Sequence, residues 1–433
     1  MEPKAMKAMG AEVDRLFDDL VTTLQAVVRI PSLSGEEGAA QEFMRKQYEA
    51  LGLEVHSLVA DPAVLKGHPG FIDNGVSYDG RPNIIGVQQG EPSKNSMALN
   101  GHIDVVSIEP VSQWTHDPWG GETAANRLYG RGALDMKGGL IANLFALKAL
   151  NRAGLRPKGT VMLQSVVDEE PGGGGALACF MAGYTADGMI VPEMCALPVT
   201  IALAGIMRFL VRVRGRSIHA AQSHLGVNAI GKIIPIYHAL EQLDARRKAE
   251  VRFPLFEELG GPACHLIVGT LHCGDWMSTV AGLAEMGCRI GFVPGEKKED
   301  IQRLVEETVR TAAASDPWLR EHPPEVEWLP FKIDPYFQDP DHPFVRSVIS
   351  SARAVLGDRV TVKPRGGTWS EDTRFAQYFG FPALSIGPAG QHPHGPDEYV
   401  DLDSLRSVTK AIAAATFDWC AHDRDPHLRP LRA

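Results

Sequence analysis

The chain is 433 residues long, 44% hydrophobic and 22% charged, with a formal net charge of −10. That length calls for two domains, and that composition excludes extensive disorder. An acidic balance without long like-charge runs excludes loose, charge-driven binding to nucleic acid or an anionic membrane, and no run approaches the roughly 20 apolar residues of a membrane span.

Met-Glu-Pro-Lys at the start, followed by Asp14, Asp18 and Asp19, offers no apolar signal stretch, so a cytoplasmic location is expected. In that compartment the six scattered cysteines, none in a Cys-x-x-Cys pair, read as buried thiols. Cys195 stands two positions after Glu193, a residue taken up below.

Val13, Leu16, Phe17, Leu20, Leu24 and Val27 recur at the spacing of one helix face over 11–29. Ser34-Gly-Glu-Glu37 reads as a capping box that opens a second helix, ending near Leu51 before Gly52. Strand-like runs follow at 53–59 and 83–87. Three later segments then share one design: 97–102 ends in His102, 160–167 runs into Asp168-Glu169-Glu170, and 188–191 runs into Pro192-Glu193. Between the first two, Leu140, Leu144, Leu147 and Leu150 mark a helix over 137–152 with Gly154 as its stop. Such alternation predicts an α/β fold whose mixed, mostly parallel sheet is covered by helices. Functional groups gather at the carboxyl ends of such strands.

From about Gly205 the pattern changes. Strands at 209–214, 265–270 and 289–293 and helices at 228–243 and 299–314 predict a small α+β domain with one open sheet face. After 328 the alternation resumes, with a helix at 344–356 and a strand at 383–386. The expected organisation is a discontinuous catalytic domain, 1–204 and 329–433, carrying an inserted domain at 205–328.

Five stretches supply metal-ligand chemistry. His102 is followed by Asp104, the spacing that lets a carboxylate orient a ligating imidazole. Asp135 stands at a helix mouth between glycine pairs, where backbone can approach what it binds; its competing reading is a helix N-cap. Asp168-Glu169-Glu170 is an acidic cluster whose mutual repulsion a cation or solvent must relieve. Glu193 and His394 complete the set. His102, Asp135, Glu170, Glu193 and His394 would give each of two divalent ions one histidine and one terminal carboxylate, with Asp135 bridging. Zinc is the expected ion, and cobalt or manganese would be tolerated. Glu169 is left free to move the proton of an attacking water.

These motifs together resemble the family of acetylornithine deacetylases, succinyl-diaminopimelate desuccinylases, aminoacylases and glutamate carboxypeptidases. The likeness runs end to end: the stretch 30–37, Gly101-His-Ile-Asp-Val-Val106, Asp117-Pro-Trp-Gly120, the stretch from Leu128 to Gly139, Asp168-Glu-Glu170, Gly226-Val-Asn-Ala-Ile230 and His394-Gly-Pro-Asp-Glu-Tyr-Val400. It implies that His102 and Glu193 hold one metal, Glu170 and His394 the other, and Asp135 both. It further implies that Asp104 supports His102, that Glu169 is the general acid/base, and that a cis peptide follows Asp135. The inserted domain resembles the family's lid, which also carries a dimer contact. His219 matches the lid histidine that steadies the oxyanion in a neighbouring active site. Arg289 matches a recurrent lid arginine, and it and Arg365 are candidates for a substrate carboxylate.

The chain also departs from that pattern. Pro192-Glu193-Met-Cys195 replaces a common Glu-Pro-Thr, and Gly366-Gly-Thr is separated from Asp372 by Trp-Ser-Glu. Met194 and Trp369 would suit an aromatic or apolar substrate, and His392 competes with His394 as a ligand. The expected activity is hydrolysis of the amide of a small carboxylate-bearing molecule, such as an N-acyl amino acid or dipeptide, by a homodimer. Hydrolytic deamination of an aryl amine of the aminobenzoate type is an alternative. A catalytically silent binding protein is another.

Overall fold

In the computed structural model, residues 2–257, 260–357 and 361–425 are described. They form two compact units, one of Met1–Ile201, Gln338–Arg365 and Glu371–Ala433, the other of Ala202–Phe337 with Gly366–Ser370. The second unit runs past the expected 328 because Glu325–Ile333 is a strand of its sheet. Among the described residues no helix is long and apolar enough to cross a membrane.

The first helical face is divided between Pro3–Arg15 and Phe17–Val28, both burying the predicted apolar residues. The third helix, Gly38–Ala50, starts where expected, but not by a capping box. Glu37 instead accepts from its own turn, at Gly35 N (2.9 Å), and pairs with buried Arg81 (2.7 Å). Ser34 gives its hydroxyl to Asp104 at 2.9 Å. The four-residue spacing was right for a cap, but both side chains found partners distant in sequence.

Six strands of one sheet lead up to the insertion: β1 (Glu54–Leu58), β2 (Asn83–Gln88), β3 (Met97–His102), β4 (Val161–Val166), β5 (Met189–Val191) and β6 (Val199–Leu203). The inserted unit supplies β7 (Gly205–Arg214), β8 (Leu266–Cys273), β9 (Leu283–Phe292) and β10 (Glu325–Ile333), and β11 (Ala383–Ser385) follows it.

The catalytic unit's sheet runs β1-β2-β4-β3-β5-β11-β6. Its centre is parallel, through β4–β3, β3–β5 and β5–β11, while β1, β2 and β6 join antiparallel. The sheet is therefore mixed, as expected, with its parallel pairs confined to the middle. Every residue of the central strands β3, β4 and β5 is buried, which is why they read as short apolar runs rather than as alternations. Helix Gly138–Arg152 lies against this sheet and is buried along nearly its whole length. It packs on the C-terminal helix Leu402–Trp419, which in turn meets Pro343–Leu356.

In the inserted unit four antiparallel strands run β8-β9-β7-β10. Met207, Phe209, Val211 and Val213 of β7 and Met286 and Ile290 of β9 face a core shared with helices Ala229–Glu250 and Lys298–Ala313. The alternate residues of β7, from Arg208 to Arg214, stand on the open face.

Candidate metal centre

Parallel pairing aligns the carboxyl ends of the central strands. His102 is the last residue of β3 and is in register with Val166 of β4, so the acidic turn after β4 starts beside the imidazole. Glu193 follows β5 on the same edge. Their side chains converge: His102 Nε2 lies 3.2 Å from an Asp135 carboxylate oxygen and 3.4 Å from Glu193. The other Asp135 oxygen is 3.1 Å from His394 Nε2, which is also 3.1 Å from Glu170. Asp135 thus belongs to two separate ligand triads, His102–Asp135–Glu193 and Asp135–Glu170–His394. His392 instead sets its Nδ1 3.2 Å from the Pro396 carbonyl and is in neither triad.

Asp135 is held by its neighbours' backbone and not as an N-cap. Gly132, at φ +79°, turns the chain, and the Asp135–Met136 peptide is cis. Glu398 then gathers the loop: one of its oxygens accepts from Leu134 N and Asp135 N (3.0 Å each), the other from Gly132 N (3.1 Å) and Arg131 (2.5 Å). Gly139, at the start of the helix that follows, lets Pro192 come close, since a Cβ there would sit 2.1 Å from the Pro192 oxygen. The same contact sets the start of that helix against the turn that carries Glu193. Glu398 was passed over in the sequence because it lay inside a motif read only for its histidine.

The three adjacent carboxylates take three different roles. Asp168, at φ +67°, is buried and accepts from Tyr78 (2.5 Å) and Asn74 (2.8 Å), with Arg81 at 3.3 Å. Glu170 joins a triad. Glu169 is held by its backbone alone: its N–H and that of Glu170 donate to the two Asp104 oxygens at 3.1 and 3.2 Å. Among the described residues the Glu169 carboxylate has no hydrogen-bond partner. Asp104 was expected to orient His102 through its carboxylate. That carboxylate is 3.6 Å from Nδ1, whereas the Asp104 carbonyl is at 2.9 Å, so the carbonyl takes the Nδ1–H and the carboxylate aligns the acidic turn. With Nδ1 donating, Nε2 keeps its lone pair for a metal.

The electrostatics call for cations here. Burial, then the charge on Asp135, pushes both Glu170 and Glu193 up to about 7. Glu169 is raised well above its ordinary range by burial, with Asp372, Glu170 and Glu193 adding to the effect against His102. Burial opposes charge on His102, yet Asp135 and Glu193 outweigh it and hold the imidazole well above the usual histidine range. His394 is pushed up to about 10 by Asp135 and Glu170. Protons on these histidines supply the positive charge that two divalent ions would bring, so donor type, spacing and charge all fit a dinuclear site. Asp372, which sequence reading noted only as part of a broken motif, is buried nearby and also raised to about 7 by that burial.

The remaining candidates belong to neither triad. Arg365, in the catalytic unit, places its Nε 3.4 Å from the Thr200 hydroxyl. His219 and Arg289 belong to the inserted unit. His219 is exposed and accepts from Ala221 N at 3.1 Å, and Arg289 donates to the Thr368 carbonyl at 3.3 Å. Cys195 is buried, and burial raises its thiol so far that it stays protonated. Met194 is half-buried beside Glu193, and Trp369 falls in the inserted unit.

Residues 98–417 match the model of peptidase family M20/M25/M40. The chain is 29% identical over 436 residues, 95% of its length and 96% of the relative's, to the N-formyl-4-amino-5-aminomethyl-2-methylpyrimidine deformylase of Halalkalibacterium halodurans. It is 28% identical over 424 residues to the succinyl-diaminopimelate desuccinylase of Rhodopseudomonas palustris, covering 92% of this chain and 98% of that one. The fold is similar to that of human carnosine dipeptidase 1, with a TM-score of 0.75 at 16% identity over 98% of this chain and 100% of that one.

Proposed function

This chain belongs to the peptidase M20/M25/M40 family and is a metal-dependent hydrolase of amide bonds, and from that premise we propose that it removes a short acyl group from the nitrogen of a small molecule. The observation that carries this reading is the pair of triads joined at Asp135, with a buried carboxylate, Glu169, beside them and in neither.

His102 and Glu193 would hold one divalent ion, Glu170 and His394 the other, and Asp135 both, with zinc the expected metal. Two such ions supply Lewis-acid polarisation of the scissile carbonyl and make water a stronger nucleophile near neutral pH. The chain's own residues do the rest. Glu169 accepts a proton from the attacking water on its carboxylate and delivers it to the departing nitrogen. Asp104, through the two backbone amides of the acidic turn, keeps that carboxylate where the water must pass. Met194 and Trp369 favour an apolar leaving group, and Arg289 and Arg365 are the proposed contacts for a substrate carboxylate. Both relatives named above are described as releasing an acyl group from nitrogen, which supports a deacylase over a deaminase. The cytoplasm is the proposed location.

Glu169→Gln should lower kcat by about 10²–10⁴-fold while elemental analysis still finds two metals per chain. Undiminished turnover by that variant would remove Glu169 from the mechanism. Product analysis belongs to the same assay: acid plus amine supports deacylation, and free ammonia supports the aryl-amine alternative.

His219 is proposed to act on the developing oxyanion in a second copy of the chain, as its exposure on the inserted unit allows. The expected particle by light scattering is a dimer, and mixing His219→Ala with Glu169→Gln chains should restore part of the activity each lacks. A monomer at assay concentration would end that assignment.

A further inference from the structure

The dipeptide Asn-Gly occurs twice in the chain, at Asn74-Gly75 and at Asn100-Gly101. In this pair the glycine nitrogen, unhindered by a side chain, attacks the asparagine Cγ and closes an imide, the first step in losing the amide. The fold separates the two copies. Asn100 and Gly101 are buried inside β3, with Gly101 paired to Ser165 and the Asn100 amide donating to Gln164 at 3.1 Å. An extended backbone locked in a sheet keeps that nitrogen away from the preceding side chain. Asn74-Gly75 stands instead in the loop between β1 and β2. There Gly75 is exposed, takes φ +74° and has open space where a Cβ would stand.

Around Asn74 the groups that such a reaction uses are already in place. The Gly75 N–H donates to the Asp73 carboxylate at 3.0 Å, so a base stands on the proton that the attacking nitrogen must lose. Asn74 Oδ1 accepts from Val76 N at 2.9 Å, a backbone donor at the oxygen where negative charge develops. The leaving Nδ2 donates to Asp168 Oδ1 at 2.8 Å, which fixes the orientation of the amide.

We propose that Asn74 is a site of spontaneous deamidation, promoted by its own loop and felt at the acidic turn. Gly75 N bonds to Asn74 Cγ, the Cγ–Nδ2 bond breaks, and the proton taken from Gly75 leaves with Nδ2 as ammonia. Water then opens the imide at either carbonyl and leaves aspartate or isoaspartate at position 74. The amide donor to Asp168 is lost in both products. In the aspartate product a carboxylate confronts Asp168, which is fully buried and keeps Tyr78 and Arg81 as partners. Asp168 directly precedes Glu169 and Glu170, so the turn that presents them shifts; this consequence alone rests on the proposed metal site.

The test is incubation of the full-length, metal-loaded chain in mildly alkaline buffer, followed by peptide mapping with mass spectrometry. The peptide carrying Asn74 should gain the mass difference between an amide and an acid, in separable aspartate and isoaspartate forms, while the peptide carrying Asn100 stays unchanged. In Asp73→Ala the conversion should slow about tenfold or more. An Asn74 that stays an amide, conversion of Asn74 and Asn100 at one rate, or an Asp73→Ala chain that converts as fast as wild type overturns the proposal. Asn74→Asp, made directly, measures the consequence. Titration of metal into the chelated variant should show one of the two ions bound about tenfold more weakly, because a buried acceptor has lost its donor and the ligand's support with it. Wild-type metal affinity in N74D overturns the link to the acidic turn. Conversion is read by mass and not by turnover, so its failure leaves amide hydrolysis standing, and an inactive enzyme leaves this site standing.

Discussion

Glu398 accepts from four donors, three of them backbone amides on the loop that presents Asp135. A glutamine has one acceptor oxygen in place of two, so in Glu398→Gln an amide NH₂ would confront either the Leu134–Asp135 pair or Gly132 and Arg131. Each buried hydrogen bond to a charged acceptor contributes about 1.5–3 kcal/mol. The bridging carboxylate should therefore shift, and metal affinity should fall by about 10–100-fold, the usual effect of removing a ligand's support. Titration of metal into the chelated variant measures this, and wild-type affinity would show that Asp135 is held by other means. A similar contrast separates Asp168 from Glu169. One is consumed by Tyr78, Asn74 and Arg81, the other has no hydrogen-bond partner for its carboxylate among the described residues, although they are neighbours in the chain.

Helix Gly138–Arg152 shows how an element transmits such constraints. Its first turn holds two glycines, each less favourable in a helix than alanine by about 1 kcal/mol on propensity alone. Gly139→Ala should therefore stabilise if only propensity mattered. A Cβ at that position would lie 2.1 Å from the Pro192 carbonyl oxygen, a backbone atom that cannot rotate away. Overpacking of this kind costs on the order of 1–3 kcal/mol, which outweighs the gain. The urea midpoint should drop, and metal affinity should drop with it because Pro192 precedes Glu193. A variant as stable as wild type would mean that the helix start can move freely.

For the whole molecule the metal centre is a concentration of buried charge that folding must accommodate. Stripped of metal, the folded chain binds protons at Glu170 and Glu193 up to about 7, above the ordinary value of 4.5, and at His394 up to about 10, above 6.5. A folded pKa above the unfolded one gives stability that is complete below the unfolded value and lost as pH rises through the folded one. Asp135 is lowered and has the opposite sign, but its effect falls in acid below this range. Melting of the chelated protein should therefore fall as pH is raised from about 5 to about 8. Metal-loaded protein should show a smaller slope, because bound ions replace those protons and add stability by mass action. A chelated protein whose melting point is level across that range would contradict the charge balance drawn here.

Much of this was legible in the residues, and the limits have physical causes. Buried parallel strands are continuous apolar runs, so β3, β4 and β5 could be read, and with them the polar residues at their ends. The two- and three-residue strands Arg127–Tyr129, Gly390–Gln391 and Tyr399–Asp401, which tie the Asp135 and His394 loops into one small sheet, are too short to show any period. The helix Leu402–Trp419 was not anticipated, and it is buried on most of its turns, which blurs the helical stripe. The sequence by itself determined the chemical inventory: two histidines, three terminal or bridging carboxylates and a spare glutamate, in a definite order at strand ends. Only the tertiary structure decided how they are used, because partners far apart in the chain do the positioning. The Asp104 carboxylate holds the acidic turn while its carbonyl holds the imidazole ring, Glu398 holds the bridging loop, and Arg208 meets Arg289 only through the register of two strands.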